Sequence, residues 1–221
     1  MTAVVNVCFH GIGTPRGDLE SEAAEYFVSS AVFLSVLDEM TEHSGVSQLS
    51  FDDGFVSDVE IVLPALRERG LLAAFFPLAG SLGRPGHVDA ADLRTLADAG
   101  MTIGSHGMRH RSWRGLDAKS AAEEFSAARS VIAEAAGVGV QAAACPFGAY
   151  DRRTLSALRR YGYAQVFTSD RRRARPGSWL QPRYSVLRDD TVRTVRDNIL
   201  APRPLQERLR RTAATRVKAW R

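Results

Sequence analysis

Two short segments of this chain carry side chains whose types and spacing suit joint chemistry. Leu49-Ser50-Phe51-Asp52-Asp53-Gly54 sets paired carboxylates after an apolar run, with a glycine to release the turn. Gly104-Ser105-His106-Gly107-Met108-Arg109-His110 sets two imidazoles four residues apart, after the β-prone run Met101-Thr102-Ile103. One carboxylate and two imidazoles suffice as protein ligands for a catalytic divalent metal, which keeps a position open for water. The second carboxylate is then free to act as a base. That division of labour points to metal-assisted hydrolysis.

Each half alone has an ordinary explanation. An Asp-Asp-Gly turn is commonly a solvated loop, and a His-x-x-x-His pair can lie on one helical face, as in the zinc proteases. The helical reading fits poorly here. Gly104, Ser105 and Gly107 break a helix, and Gly107 stands where those proteases place a Glu. Both segments follow strand-like runs, and the ends of such runs can converge in space.

The elements that would position these groups alternate along the whole chain. Val4 to Phe9 reads as a strand ending at His10-Gly11, and Ser29 or Ser30 can cap a helix carrying Val32, Phe33, Val36, Leu37 and Met40 on one face. Val46 to Phe51 is the next strand, followed by a helix from Asp58 to Arg69 stopped by Gly70. Leu71 to Phe76 reads as a buried strand, Asp89 to Ala99 as a helix closed by Gly100, and Met101 to Gly104 as the strand that delivers the His pair. A long helix over Asp117 to Ala136 and a strand over Gln141 to Cys145 lead into Pro146-Phe147-Gly148. Asp151 caps a helix to Tyr161, and Ala164 to Thr168 and Tyr184 to Leu187 read as the last strands. This alternation argues for an α/β fold with a parallel sheet, closed or nearly closed as a barrel, whose active site lies at the C-terminal strand ends. His10, Asp52, Asp53, His106, His110, the Pro146 loop and Asp170 all fall there.

At 221 residues the chain suits one domain, here residues 1–200. The remaining 201–221 form a basic amphipathic tail with seven Arg/Lys against one Glu, so the body carries about −2 of the total +4. The basic balance therefore belongs to the tail, and nucleic acid is not an expected partner of the body. Leu205, Leu209, Ala213, Val217 and Trp220 recur at roughly helical spacing, which suits packing on the domain or peripheral contact with an anionic membrane. No apolar run is long enough to span a bilayer, the N-terminus lacks a secretory signal pattern, and Cys8 and Cys145 read as reduced core residues. A cytoplasmic location is expected.

The ordered combination Phe-Asp-Asp-Gly, Ser-His-x-x-x-His and Pro-Phe-Gly resembles the polysaccharide deacetylases, the NodB-homology domain of carbohydrate esterase family 4. The resemblance runs from about His10 to Val186. It implies a distorted (β/α) barrel that removes acetyl from an N-acetylated sugar or glycan with one divalent ion, Zn²⁺ foremost and Co²⁺, Ni²⁺ or Mn²⁺ as alternatives. By position, Asp52 matches the catalytic base and Asp53, His106 and His110 the metal ligands. Phe147 matches the loop residue whose backbone N–H helps hold the oxyanion, with Pro146 and Gly148 beside it on the substrate.

Three positions depart from the family pattern. Many members carry an Arg where this chain has Ala144, a Ser or Thr where it has Gly107, and a Leu-x-His near the C-terminus, whereas no His follows His110 here. Two residues can fill the gaps. His10 is a candidate acid or substrate-binding group, its bland alternative being a strand-end residue bonded to a backbone carbonyl. Arg183, after Pro182, can reach Asp52 from another side or face solvent. Asp170 can orient Arg183 or contact sugar, and Trp113 and Trp179 can stack on a pyranose ring or sit in the core. The competing readings are a catalytically silent glycan-binding protein, a membrane or nucleic-acid module carried by the tail, and an amidase acting on a non-sugar amide.

Overall fold

Alternation along three neighbouring strands decides which side chains meet inside the molecule. In the computed structural model, which describes residues 3–16, 24–42, 46–201, 212–215, 217–218 and 220, β1 (Val5–Phe9) pairs in parallel with β2 (Val46–Asp53), and β2 with β3 (Ala73–Pro77). The register sets Phe9 beside Phe51 and Phe51 beside Phe75. Their rings stack at 5.7 and 5.0 Å, and Phe33 of helix α1 (Ser30–Glu42) meets Phe9 edge-on at 5.3 Å. This aromatic row therefore faces the helices, each contact adding about 0.5–1.5 kcal/mol beyond area burial. Residues one step along face the other way, so Cys8, Ser50, Asp52 and Phe76 point to the barrel interior. A slip of one residue would exchange the two sets.

The remaining strands complete the ring. β4 (Thr102–Ile103) pairs with β3, and β8 (Tyr184–Ser185) with β1, giving a five-stranded sheet in the order β4-β3-β2-β1-β8. A second sheet runs β5-β6-β7 from Ala142–Ala144, Gln165–Thr168 and Leu180–Pro182. Ser105 joins the sheets at one seam, donating to Ala142 O (3.0 Å) and accepting from Ala144 N (2.9 Å). At the other seam β7 and β8 are consecutive in the chain, separated by Arg183 alone. The result is a distorted parallel barrel with its strands in sequential order. Inside it, Ala74, Phe76, Ala142, Ala144 and Phe167 form a small core of their own.

Most element boundaries follow the sequence signals. The Ser29 hydroxyl accepts from Val32 N, Asp89 closes a capping box on α3 (Ala90–Asp98), and Asp151 caps α6 (Arg152–Arg160) through Thr154 N. The helix after β2 opens with a π turn (Asp58–Val62) and continues as α2 (Leu63–Glu68). The long Ala-rich helix is α4 (Ala118–Ala122) and α5 (Ala128–Ala136) joined by a π turn over Glu123–Ala127. Two elements were unforeseen. β7 is three residues ending in Pro182, and proline reads as a strand breaker. The C-terminal helical segment, α7 (Val192–Val195) with a π turn to Leu200, starts from a Thr191–Thr194 capping pair rather than an acidic one. Both cysteines are buried and free, and no helix among the described residues is long and apolar enough to cross a membrane. Leu205 and Leu209, part of the expected amphipathic stripe, lie outside the described residues.

Candidate metal centre and active site

Strand alternation alone would send Asp52 and Asp53 to opposite faces of the sheet. The backbone prevents this. Asp53 has φ +75°, and Gly54 follows at +73° with no room for a side chain: a Cβ there would lie 2.7 Å from Pro77 Cβ. A left-handed non-glycine residue carries strain of order 1–3 kcal/mol and persists where surrounding structure over-determines it. Here the turn brings Asp53 Oδ1 to 3.5 Å from His106 Nε2 and 3.7 Å from His110 Nε2. One donor atom from each of Asp53, His106 and His110 lies within 4.8 Å of the others.

The electrostatics of this triad suit a cation. Asp53 Oδ1 is buried with no hydrogen-bond partner, an uncompensated acceptor that a folded protein seldom leaves idle. Burial pushes the Asp53 carboxyl up to about 6, with the neighbouring Asp52 charge adding to the rise. His106 Nδ1 lies 2.9 Å from Ala144 O, so that nitrogen carries the proton and Nε2 is presented as a ligand. Burial also pushes the His106 imidazole down to about 3, which keeps it neutral, as a ligand must be. The donor set, its tautomer and its orphaned oxygen all fit a divalent ion.

Asp52 sits differently. Arg183, fully buried, grips it with two parallel bonds, Nη1 to Oδ1 at 2.7 Å and Nη2 to Oδ2 at 2.6 Å, and Nη1 also reaches Ser50 Oγ at 2.9 Å. Burial favours the neutral carboxyl, but the guanidinium wins and holds Asp52 well below the usual carboxylate range. Phe76 and Phe167 flank the guanidinium at 5.5 and 5.6 Å from their ring centroids. Arg183 thus enters from the β7–β8 seam, while Ala144, on β5, leaves the interior to those rings. Ser50 was legible from alternation, two residues before Asp52 on one face, and was missed.

His10 follows β1 beside the Asp52 strand. Its donor atom lies within 4.8 Å of those of Asp52 and Cys8, its ring packs on Tyr26 at 4.5 Å, and its buried Nδ1 has no partner. Burial lowers its pKa against the pull of Asp53 and Asp52, so the imidazole is neutral in the resting site. The Pro146–Gly148 turn lies past β5. Phe147 is left-handed (φ +56°) and exposed, with its ring 4.3 Å from that of His110. The Gly148 and Ala149 amides are used within the turn, on Cys145 O and Pro146 O. Gly148 must be glycine, since a Cβ would lie 2.9 Å from Ser169 N.

Other expected site residues lie elsewhere or are otherwise engaged. Asp170 accepts from Tyr150 Oη and Thr168 Oγ1 at 2.7 Å each, and from Lys218 Nζ at 3.0 Å, so it holds the C-terminal segment while Arg183 turns to Asp52. Lys218 also donates to Gly148 O. Trp179 precedes β7, at the opposite end of the barrel, where Nε1 donates to Tyr163 O and Arg159 covers the ring at 4.0 Å. It does not join the cluster, and Trp113 is wholly buried core. In both cases an aromatic in a loop-like stretch was a weak signal, because aromatic faces serve cores as readily as sugars.

A family model described as polysaccharide deacetylase matches residues 40–166, which include both carboxylates, both histidines and the Pro146 turn. This chain belongs to the polysaccharide deacetylase family. It is 25% identical over 122 residues to the Bacillus subtilis (strain 168) protein named "Putative polysaccharide deacetylase YxkH"; the match covers 55% of this chain and 44% of that protein, so the chain spans under half its length. Among solved structures, the Streptococcus pyogenes deacetylase PplD in complex with acetate superposes with a TM-score of 0.77 at 16% identity, covering 91% of this chain and 99% of that one. IcaB from Ammonifex degensii gives 0.74 at 21% identity, covering 90% and 97%. At these identities the structures establish a shared fold, the NodB-type deacetylase barrel.

Proposed function

We propose that this polysaccharide deacetylase-family chain is a metal-dependent N-deacetylase that hydrolyses the acetamide of an N-acetylated sugar in a glycan. The carrying observation is the split between adjacent carboxylates, one saturated by a buried arginine and one left bare among two histidine nitrogens. Asp53, His106 and His110 would hold the ion, Zn²⁺ foremost. A divalent ion in such a site supplies Lewis acidity toward the amide carbonyl and a more acidic water. Asp52, oriented by Arg183, takes the proton of the attacking water. Because Arg183 disfavours a resting proton on Asp52, that proton is readily passed on. His10, neutral and unpartnered at Nδ1, can take up the proton that Asp52 has removed from the water and hand it to the leaving amine, ending neutral again. The Phe147 amide helps hold the developing oxyanion; losing one such donor in comparable sites costs roughly 3–4 kcal/mol.

The test is acetate release by the Zn²⁺-loaded chain from a panel of N-acetylated oligosaccharides and simple non-sugar acetamides. Release confined to the sugars supports the reading. Release confined to the non-sugar amides makes the chain an amidase, and specific glycan binding without release makes it a silent glycan-binding protein.

A further inference from the structure

The loop between the two histidine ligands is held from both sides. Its carbonyls accept from the turn after β3, Gly107 O from Ala79 N at 2.9 Å and Met108 O from Gly80 N at 3.0 Å. Its amides face a single carboxylate. Glu124, fully buried in the π turn between α4 and α5, accepts from Met108 N at 2.9 Å through Oε2 and from Arg109 N at 3.3 Å through Oε1. Oε2 also accepts from Trp113 Nε1 at 3.3 Å.

Gly107 completes the arrangement. It stands at φ +90°, and a Cβ there would lie 2.2 Å from Glu124 Oε2 and 3.1 Å from Trp113 Nε1. The carboxylate therefore occupies the volume that a side chain at position 107 would need. The π turn widens the helix locally and sets both Glu124 and Phe125 inward, in keeping with the frequent use of such turns at functional sites.

We propose that Glu124 is a positioning residue for metal binding: it clamps the backbone between His106 and His110 and so presets the spacing of the two imidazoles. The clamp matters most for His110, whose side chain is 37% exposed, whereas His106 is buried and held by Ala144 O. Partners one step behind the ligands orient them and typically change metal affinity 10–100-fold when removed. The inference rests on the metal reading above, so its test separates the two.

The full chain, its Glu124→Ala and Glu124→Gln variants, and Ile132→Ala as a core variant on the same helix would be compared by Zn²⁺ competition with a chromophoric chelator. Glu124→Ala is expected to weaken Zn²⁺ binding about 10–100-fold. Glu124→Gln, which keeps one acceptor oxygen, should fall between it and wild type. Ile132→Ala should lower the melting temperature yet hold its affinity within about twofold, because it leaves the clamp intact. Hydrogen exchange on metal-free protein gives the second reading, with the Met108 and Arg109 amides exchanging faster in Glu124→Ala. Unchanged affinity in Glu124→Ala, equal loss in Ile132→Ala, or unchanged exchange at 108 and 109 would each overturn the proposal. Absence of Zn²⁺ binding by wild type would instead overturn the metal reading, and the exchange result would still decide the clamp.

Discussion

Asp52 and Asp53 are neighbours in the chain and opposites in the site. Asp52 obeys strand alternation, points into the barrel and has both oxygens bonded to Arg183. Asp53 breaks the alternation with a left-handed backbone and carries a buried oxygen with no partner. One carboxylate is stabilised by the protein itself; the other is left for something the protein must bind. Identical side chains one residue apart thus acquire different work from their surroundings.

The largest effect is expected from removing either member of the Asp52–Arg183 pair. Removing one member of a buried ion pair typically costs 3–5 kcal/mol, because the other charge is left uncompensated. Arg183→Met should therefore lower stability by roughly that amount, as should Asp52→Asn. The double variant should recover much of it, since two similar-sized uncharged groups replace the pair, without recovering turnover. Chemical denaturation of the four proteins measures the coupling. Strictly additive losses would mean the observed pair does not exist in solution.

The next effect belongs to His10. His10→Ala should lower turnover by roughly a hundredfold, in the range for loss of a general acid, with metal content unchanged. Turnover within a few-fold of wild type would assign the proton delivery elsewhere.

The smallest effects are in pH, where the two carboxylates should differ in sign. Asp53, raised to about 6, holds its proton in the metal-free fold over a range where the unfolded chain has lost it. Stability of the metal-free chain should then fall as pH rises from about 4 through 6, and apparent metal affinity should weaken below about pH 6 as the proton competes, by up to tenfold per unit. Asp52, held low by Arg183, contributes stability that is present above the ordinary carboxylate pKa and lost as pH falls below it. Asp53→Asn should abolish the first dependence and leave the second, which titration calorimetry and thermal melts across pH would show.

Much of this was legible in the sequence because it depends on local pattern. The apolar strand runs, the caps at Ser29, Asp89 and Asp151 and the ordered motifs placed the barrel and the triad. Arg183 and His10 were named as candidates because the family's own arginine and C-terminal histidine are missing. The remainder depends on contacts remote in sequence. Arg183 meets Asp52 across 131 residues, and β7 exists because β6 pairs with it, although its own three residues argue against a strand. Asp170 does follow a strand end, but Trp179, expected near the loops of the site face, lies at the other end, because which end and which partner a residue meets is a property of the closed barrel. The π turn that carries Glu124 leaves no mark in an Ala/Glu-rich helical pattern.

The division of labour between the two carboxylates is most directly tested by metal content. Asp52→Asn and Asp53→Asn, purified and reconstituted side by side with Zn²⁺, would be analysed for bound metal and for acetate release. Asp52→Asn should keep about one ion per chain and release no acetate, whereas Asp53→Asn should lose the ion itself. Equal metal content in both variants, or near-normal acetate release by Asp52→Asn, would contradict it.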